Sequence, residues 1–131
     1  MAKYVDGFVI PVPKKKLRAY LNMAKQGRKL WMKHGALEYF ECVGDDLHPK
    51  MTDPATNKEM KAMRFPQFVK ARPGETVIFS FIVFKSRAHR DKVNAKVMSD
   101  PFMSDPKNAP QSMPFDFKRV VYGGFKTIVS T

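Results

Sequence analysis

The sequence predicts an α+β domain in which a four-stranded antiparallel sheet carries two helices on one face. Its apolar patterns occur in the order strand, helix, strand, long connection, strand, helix, strand. A length of 131 residues and a hydrophobic share of 44% suit one domain with one core. The third strand is apolar on both sides, which is typical of a strand covered on both faces. Two strand–helix–strand units in so short a chain indicate the split βαβ, ferredoxin-like arrangement.

The first half of the chain supplies a strand, a helix and a second strand. Residues 4–12 are rich in Val, Ile and aromatic residues, which favours a strand. From about residue 14 to 33 the apolar side chains follow the spacing of one helix face, and cations occupy the opposite face. Gly35 is typical of a helix C-cap. Residues 36–43 are predicted to form the second strand.

The middle of the chain is irregular until the third strand begins. Asp53 and Pro54 predict the start of a short helix, because Asp caps helices and Pro suits their first turn. Residues 65–71 are predicted to be extended, and the Arg-Pro-Gly sequence at 72–74 indicates a turn. Residues 75–84 then form the strongest strand pattern of the sequence.

The second half of the chain repeats the helix and strand. Ser86 is predicted to cap a helix at 87–99, which ends before Pro101. Residues 101–116 contain four prolines and are predicted to be a loop. Residues 117–129 are predicted to be the last strand, and the Gly-Gly pair at 123–124 indicates a bulge or a close backbone approach.

An apolar sheet face remains uncovered in this arrangement, because both helices lie on the other side. A bare apolar face of that size is an interaction site or a liability. Packing against a second copy covers it, so we expect a homodimer through the sheet face. The sequence leaves open which face of the third strand meets the partner.

The charge balance is strongly basic, with 24 Lys and Arg against 12 Asp and Glu and a net charge of +12. Residues 7–37 contain eight cations and no acid. Such a field attracts nucleic acid, anionic lipid or an acidic small molecule, whereas solubility alone also accounts for it. The cations that would contact phosphates are Lys14, Lys15, Lys16, Arg18, Lys25, Lys29 and Lys33.

No motif of an established catalytic class occurs in the sequence, so it leaves open whether the protein is an enzyme. His34, His48 and His89 offer no chelating spacing, so we expect no metal site and no cofactor. The single cysteine excludes an intramolecular disulfide and favours a cytoplasmic setting. The longest apolar run is too short for a transmembrane helix, so we expect no membrane association.

Asp6 is a carboxylate within an apolar strand, and such a group needs a partner or serves as a general acid or base. If the last strand runs antiparallel beside the first, Lys126 is the expected partner. Arg119 reaches Asp6 only if the register is shifted.

The first functional hypothesis is that the protein binds a small molecule in a cleft between sheet and helices. An anion is one candidate for this ligand. The expected polar lining is Asp6, His34, Glu41, Arg119 and Tyr122. Asp6 or His34 would accept a proton, and Arg119 would anchor an anion. The alternatives are a polar network that only sets strand register, and nucleic-acid binding through the basic helix. A structural or interaction protein without a pocket is a further alternative.

Several strings across the chain carry a family resemblance. They are YVDGFV at 4–9, HGAL at 34–37, ECVGDD at 41–46, GETVIFS at 74–80, Arg90-Asp91 with Asn94, VMSDP at 97–101, MPFD at 113–116 and YGGF at 122–125. On these strings the chain resembles the YbaA-like family of small, uncharacterised bacterial proteins in the dimeric α+β barrel group. The resemblance implies a ferredoxin-like fold and a homodimer, and it implies no activity. The basic first helix and residues 50–67 depart from the family pattern.

Overall fold

The computed structural model describes residues 2–110 and 112–131. Met1 and Gln111 lie outside the described residues, and Gln111 falls within the predicted loop at 101–116. The helices and strands follow one another as β1 (Tyr4–Pro13), α1 (Leu17–Lys33), β2 (Glu38–Val43), β3 (Met51–Thr52), β4 (Glu59–Met60), α2 (Phe65–Phe68), β5 (Glu75–Phe84), α3 (Arg87–Met98), α4 (Pro101–Ser104) and β6 (Val121–Lys126). Across the described ranges, no helix is long and apolar enough to cross a membrane.

Four of these strands form one antiparallel sheet in the order β2-β5-β1-β6. All ten residues of β1 pair with β5, and β6 pairs along the other side of β1. β3 and β4 form a separate two-stranded hairpin. The predicted four-stranded antiparallel sheet is confirmed, and the described part of the chain closes no barrel on its own.

The helices α1 and α3 pack against one face of this sheet. One apolar cluster joins Leu30 of α1 and Val93 of α3 to Phe84 of β5. A second cluster joins Tyr20 of α1 to Ile10 of β1. Both helices therefore bury one apolar stripe against the same sheet face, which is the packing that an amphipathic helix requires.

The ends of both long helices agree with the predictions. The side chain of Ser86 accepts a hydrogen bond from the backbone N–H of His89 at 3.1 Å, so it caps α3. Gly35 follows α1 with a φ of 109°, in the left-handed region that glycine adopts at low cost. Residues Lys14–Lys16 form a 3₁₀ turn in front of α1.

The opposite sheet face, called here the outer face, carries the alternate side chains. By the strand register these are Val5, Gly7, Val9, Pro11 and Pro13 of β1, Glu38, Phe40 and Cys42 of β2, Glu75, Val77, Phe79, Phe81 and Val83 of β5, and Val121, Gly123 and Phe125 of β6. The rings of Phe40 and Phe81 stack with centroids 4.9 Å apart. α2 covers one end, where Phe65 meets Phe79 edge-on at 6.0 Å. The side of β5 that faces away from the helices is therefore the one bearing Phe79 and Phe81.

The glycine pair of β6 allows a close approach rather than a bulge. Its paired residues oppose β1 in unbroken register, with Gly124 across from Asp6. A Cβ atom at Gly124 would overlap the ring of Tyr4. The close approach at Gly124 is thus made by the Tyr4 side chain on β1 rather than by another stretch of backbone.

Two predictions in the middle of the chain are wrong. Asp53 and Pro54 do not start a helix, because they form the turn between β3 and β4. The carboxylate of Asp53 accepts a hydrogen bond from the backbone N–H of Ala55 at 2.9 Å. The side chain that was predicted to cap a helix therefore stabilises a turn. The segment 65–71 is not extended, since Phe65–Phe68 form α2. A proline near the start of α2 suits the first turn of a helix.

The last loop and strand also differ from their predicted bounds. Within 101–116 the structure forms α4 and a 3₁₀ turn at Pro106–Asn108, and an aspartate side chain caps each of them. The strand β6 begins only at Val121, because Phe117–Arg119 form a 3₁₀ turn. It ends at Lys126, three residues before the predicted end at 129.

Candidate functional site

A cavity of about 730 Å³ opens between α1, β2 and the segment that follows α3. We call it the α1–β2 cavity. Tyr20, Met23, Gly27 and Trp31 contribute to it from α1, and Tyr39 and Glu41 from β2. Phe102, Met103, Met113 and Phe115 line it from the segment after α3. Its size and largely apolar lining are those of a small-molecule site.

Glu41 is the one charged side chain among the described residues that line this cavity. Tyr20 donates its phenol O–H to Glu41 Oε1 at 2.7 Å, and Tyr39 donates to Oε2 at 2.7 Å. Tyr39 and Glu41 lie two residues apart on β2, so both point to the helix-covered face. A carboxylate has about four lone-pair sites, so further acceptor positions remain on Glu41.

The two phenols stay protonated well beyond neutral pH. Burial raises the pKa of Tyr20 above its usual range, and the charge of Glu41 and its hydrogen bond raise it further. Burial and Glu41 raise the pKa of Tyr39 in the same way. Both groups therefore act as hydrogen-bond donors to Glu41 and keep their own oxygen lone pairs as acceptors.

Aromatic rings flank the carboxylate on two sides. The rings of Trp31 and Tyr39 lie 6.4 Å apart, and Tyr20 meets Phe115 edge-on at 5.8 Å. The indole N–H of Trp31 donates to Asn94 Oδ1 on α3 at 3.0 Å, which sets the orientation of the ring. The cavity thus combines one carboxylate with several aromatic walls.

Gly27 makes room for the hydroxyl of Tyr39. A Cβ atom at Gly27 would lie 2.8 Å from Tyr39 Oη, which is closer than real Cβ atoms approach. A glycine within a helix costs about 1 kcal/mol relative to alanine. Gly27 was not among the predicted site residues, although a glycine inside a strong helical pattern is a signal of close packing.

Asp6 is paired as expected, but its partner is neither Lys126 nor Arg119. Its Oδ1 accepts from Arg90 Nη1 of α3 at 2.6 Å, and the side chains are 9% and 19% exposed. Arg90 also lies over the ring of Tyr4, 5.0 Å from its centroid. The prediction is wrong because Gly124, and not Lys126, lies opposite Asp6 in the sheet, and α3 brings Arg90 to that face. Burial raises the pKa of Asp6, and Arg90 offsets only part of that effect.

Arg119 binds Glu75 instead of lining the cavity. Its guanidinium donates two hydrogen bonds to the carboxylate at 2.6 and 2.8 Å and a third to the carbonyl of Lys70 at 3.1 Å. The hydrogen bonds from Arg119 lower the pKa of Glu75. This bidentate pair ties the turn before β5 to the segment before β6.

His34 and Tyr122 occupy two further places. His34 Nε2 lies 2.8 Å from Asp100 Oδ2, and Lys33 Nζ donates to the same oxygen at 2.9 Å. Asp100 also caps α4 by accepting from the N–H of Phe102. The hydrogen bond from Lys33 is the main cause of the lowered pKa of Asp100. Tyr122 is exposed and stacks on Phe8 with centroids 6.0 Å apart.

Of the five predicted lining residues, only Glu41 lines the α1–β2 cavity. The structure places the other four in separate contacts that join helices, turns and strands. Tyr20 and Tyr39, which complete the site around Glu41, were missed as functional residues. Tyr20 has the spacing of a core position on α1, so its hydroxyl was the one feature that could have indicated a functional role.

The predicted basic set is spread along α1 and the turn before it. Lys14, Lys15, Arg18, Lys25 and Lys29 are exposed, Lys16 is half-buried and Lys33 binds Asp100. Within 2–110 and 112–131, no group of three or more His, Cys, Asp or Glu side chains is placed to hold a metal ion.

Residues 3–117 match the model of a family described as "Protein of unknown function (DUF1428)". The chain is 44% identical over 128 residues to "Uncharacterized protein YbaA" of Escherichia coli K12, and the match covers 97% of each chain. The protein of the same description from Shigella flexneri is similar to the same extent. The resemblance expected from the sequence strings is confirmed, and these descriptions state no activity, substrate or partner.

Proposed function

Because the chain belongs to the DUF1428 family, whose function is unknown, we propose its function from the geometry of the α1–β2 cavity: it binds a small molecule there. The observation that carries this proposal is Glu41, a carboxylate held by two phenols at the wall of a 730 Å³, mostly apolar space. A few convergent polar groups in an apolar cavity are the usual features of a ligand site.

A purely structural network around Glu41 is the competing explanation. Such a network needs only the two tyrosine hydrogen bonds, and core packing would then fill the adjacent space. The cavity beside Glu41 instead has room for a ligand. This unfilled space favours a binding site.

The single tryptophan of the chain provides the test, because Trp31 lines the cavity. A library of small fragments of mixed charge is titrated while Trp31 fluorescence and backbone NMR shifts are recorded. We expect saturable fluorescence changes together with shifts in α1 and β2. Shifts confined to the outer face, or no saturable response, would contradict the proposal.

We also propose that the chain is ferredoxin-like in topology and forms a homodimer through the outer face. The strand order β2-β5-β1-β6 and the position of α1 and α3 on one sheet face support the topology. None of the described strand positions on the outer face is Lys or Arg, although the chain contains 24 of them. We favour a second copy of this chain as the partner that packs on the outer face. Two chains with a net charge of +12 repel each other, and they can approach where the surface carries no cations.

Non-specific nucleic-acid binding is the second candidate. Arg18, Lys25 and Lys29 are exposed on α1 and lie along one stripe of the helix. Such a stripe contacts phosphates without reading bases, so the binding would weaken steeply with salt. A titration with RNA and DNA at low and at moderate salt tests this candidate separately from the cavity.

A further inference from the structure

We propose that the α1–β2 cavity selects an organic cation, a molecule with a protonated amine next to an apolar or aromatic body. This inference rests on the proposed function, since it names the class of ligand for the same cavity. It replaces the anion expected from the sequence, because Arg119 binds Glu75 and does not reach the cavity.

The charge inside the cavity is the first argument. None of the described lining residues is Lys or Arg, although cations outnumber acids two to one in the chain. Glu41 is therefore the one formal charge that a ligand meets there. An anion would be desolvated next to a like charge, whereas a cation would be desolvated next to an opposite one.

The hydrogen-bonding pattern is the second argument. The hydroxyl protons of Tyr20 and Tyr39 already point at Glu41, so both phenol oxygens and the remaining lone pairs of Glu41 can only accept. These acceptors come together from one helix and one strand. An ammonium group offers three donors and no acceptor, and donors of this kind form the stronger, charge-assisted hydrogen bonds with a carboxylate.

The aromatic walls are the third argument. Trp31 and Phe115 line the cavity beside the two tyrosines that hold Glu41, and a cation next to such ring faces gains attraction from their negative charge distribution. Met23, Met103 and Met113 also line the cavity, and their flexible side chains adapt to ligand shape. The site therefore specifies the charged end of the ligand more closely than its apolar end.

The net charge of +12 works against a cationic ligand at long range. At physiological ionic strength this repulsion is screened beyond about 8 Å. The contact with Glu41 is direct and partly buried, so it is screened far less. We therefore expect the local carboxylate to decide selectivity.

Three compounds of nearly the same shape test the inference: phenethylamine as its ammonium ion, phenethyl alcohol and 3-phenylpropionate. Each is titrated at physiological salt against the full chain, with Trp31 fluorescence as the readout and NMR shifts of α1 and β2 to locate the site. We expect the ammonium ion to bind about tenfold more tightly than the alcohol, and the carboxylate to bind most weakly.

Glu41→Gln is expected to remove most of the preference for the ammonium ion while the alcohol still binds. Asp45→Asn, which removes one exposed charge four residues away, is the matched control and should leave the preference unchanged. Tyr39→Phe keeps the carboxylate but removes one phenol acceptor, so it should weaken the preference less than Glu41→Gln does. Circular dichroism verifies the folding of each variant, and the wild-type series tests the inference even if Glu41→Gln does not fold.

The possible failures are distinguishable. If the carboxylate or the alcohol binds in the cavity as tightly as the ammonium ion, the cation inference is wrong and the small-molecule proposal stands. An ammonium preference that survives in a folded Glu41→Gln variant also overturns the inference. If none of the three compounds changes Trp31 fluorescence or the shifts of α1 and β2, both proposals fail.

Discussion

The two faces of the sheet differ most clearly in the surroundings that they give to charged side chains. On the helix-covered face, Asp6 meets Arg90 from α3 and Glu41 meets Tyr20 from α1. On the outer face the strands carry mostly aliphatic and aromatic side chains, with Glu38 and Glu75 at strand ends, and Phe79 and Phe125 are exposed. A carboxylate within a sheet is tolerated where a helix brings a donor to it, and the outer face has no helix that does so along most of its length.

The largest expected effect comes from adding a charge to the outer face. Phe79→Asp should weaken association of the proposed dimer by about 3 kcal/mol or more, because the new carboxylate would be buried without a cation. Sedimentation velocity at micromolar concentration measures the result as a shift from dimer to monomer.

Phe117→Asp is the matched control for this experiment. Phe117 is 66% exposed, against 44% for Phe79, and its ring lies near Tyr122 rather than on the outer face. The control should sediment like the wild type. A well-folded wild-type monomer at the same concentration would contradict the dimer proposal.

Removing a charge from the helix-covered face should have the next largest effect. Arg90→Met leaves Asp6 mostly buried without its cation and should lower the free energy of unfolding at pH 7 by about 3 kcal/mol. Asp6→Asn keeps a hydrogen-bond acceptor for Arg90 and should cost only about 1 kcal/mol. Urea unfolding measures both values.

The pH dependence of Arg90→Met sharpens that test. Burial already raises the pKa of Asp6, and without Arg90 the pKa rises further. The variant should therefore regain stability as the pH falls and Asp6 takes up a proton. Equal losses in the two variants at every pH would mean that the pair does not act as a buried charge pair.

A smaller effect is expected at acid pH from the paired carboxylates Asp100 and Glu75. Their pKa values are lowered by Lys33 and Arg119 respectively, so their contribution to stability is full above the unfolded-state pKa of about 4. It is lost as the pH falls through their lower folded-state pKa values. Asp6 has the opposite sign, because its folded-state pKa is raised.

Urea unfolding between about pH 3 and pH 6 separates these contributions. Wild-type stability should fall toward acid pH, and Asp100→Asn should make the fall shallower. A curve for Asp100→Asn that is parallel to that of the wild type would show that the contacts of Asp100 with Lys33 and His34 do not favour its ionised form.

The smallest expected effect on stability comes from the exposed basic stripe of α1. Replacing Lys25 and Lys29 by Gln should change the free energy of unfolding by no more than about 0.5 kcal/mol, because both side chains are solvated. Any affinity for RNA or DNA should fall similarly for all sequences and show a shallower salt dependence. If the wild type binds neither at low salt, the charge serves solubility alone.

Local patterns were sufficient for the long elements of the fold. β5 has its predicted bounds, and α1 and α3 lie where their apolar spacing and their caps at Ser86 and Gly35 put them. Short elements were predicted less well, because one local chemistry serves several structures. An aspartate followed by a proline starts a helix at Asp100, yet at Asp53 it forms the turn of a hairpin.

The sequence alone therefore determined the class of fold, the family resemblance and the need of Asp6 for a partner. Only the tertiary structure decided that this partner is Arg90, 84 residues away, and that Tyr20 and Tyr39 meet at Glu41. The same holds for the choice of outer face, which follows from where α1 and α3 pack. Secondary structure follows local spacing and caps, whereas pairing of buried polar groups depends on which helix crosses which strand, and that is decided by packing of the whole chain.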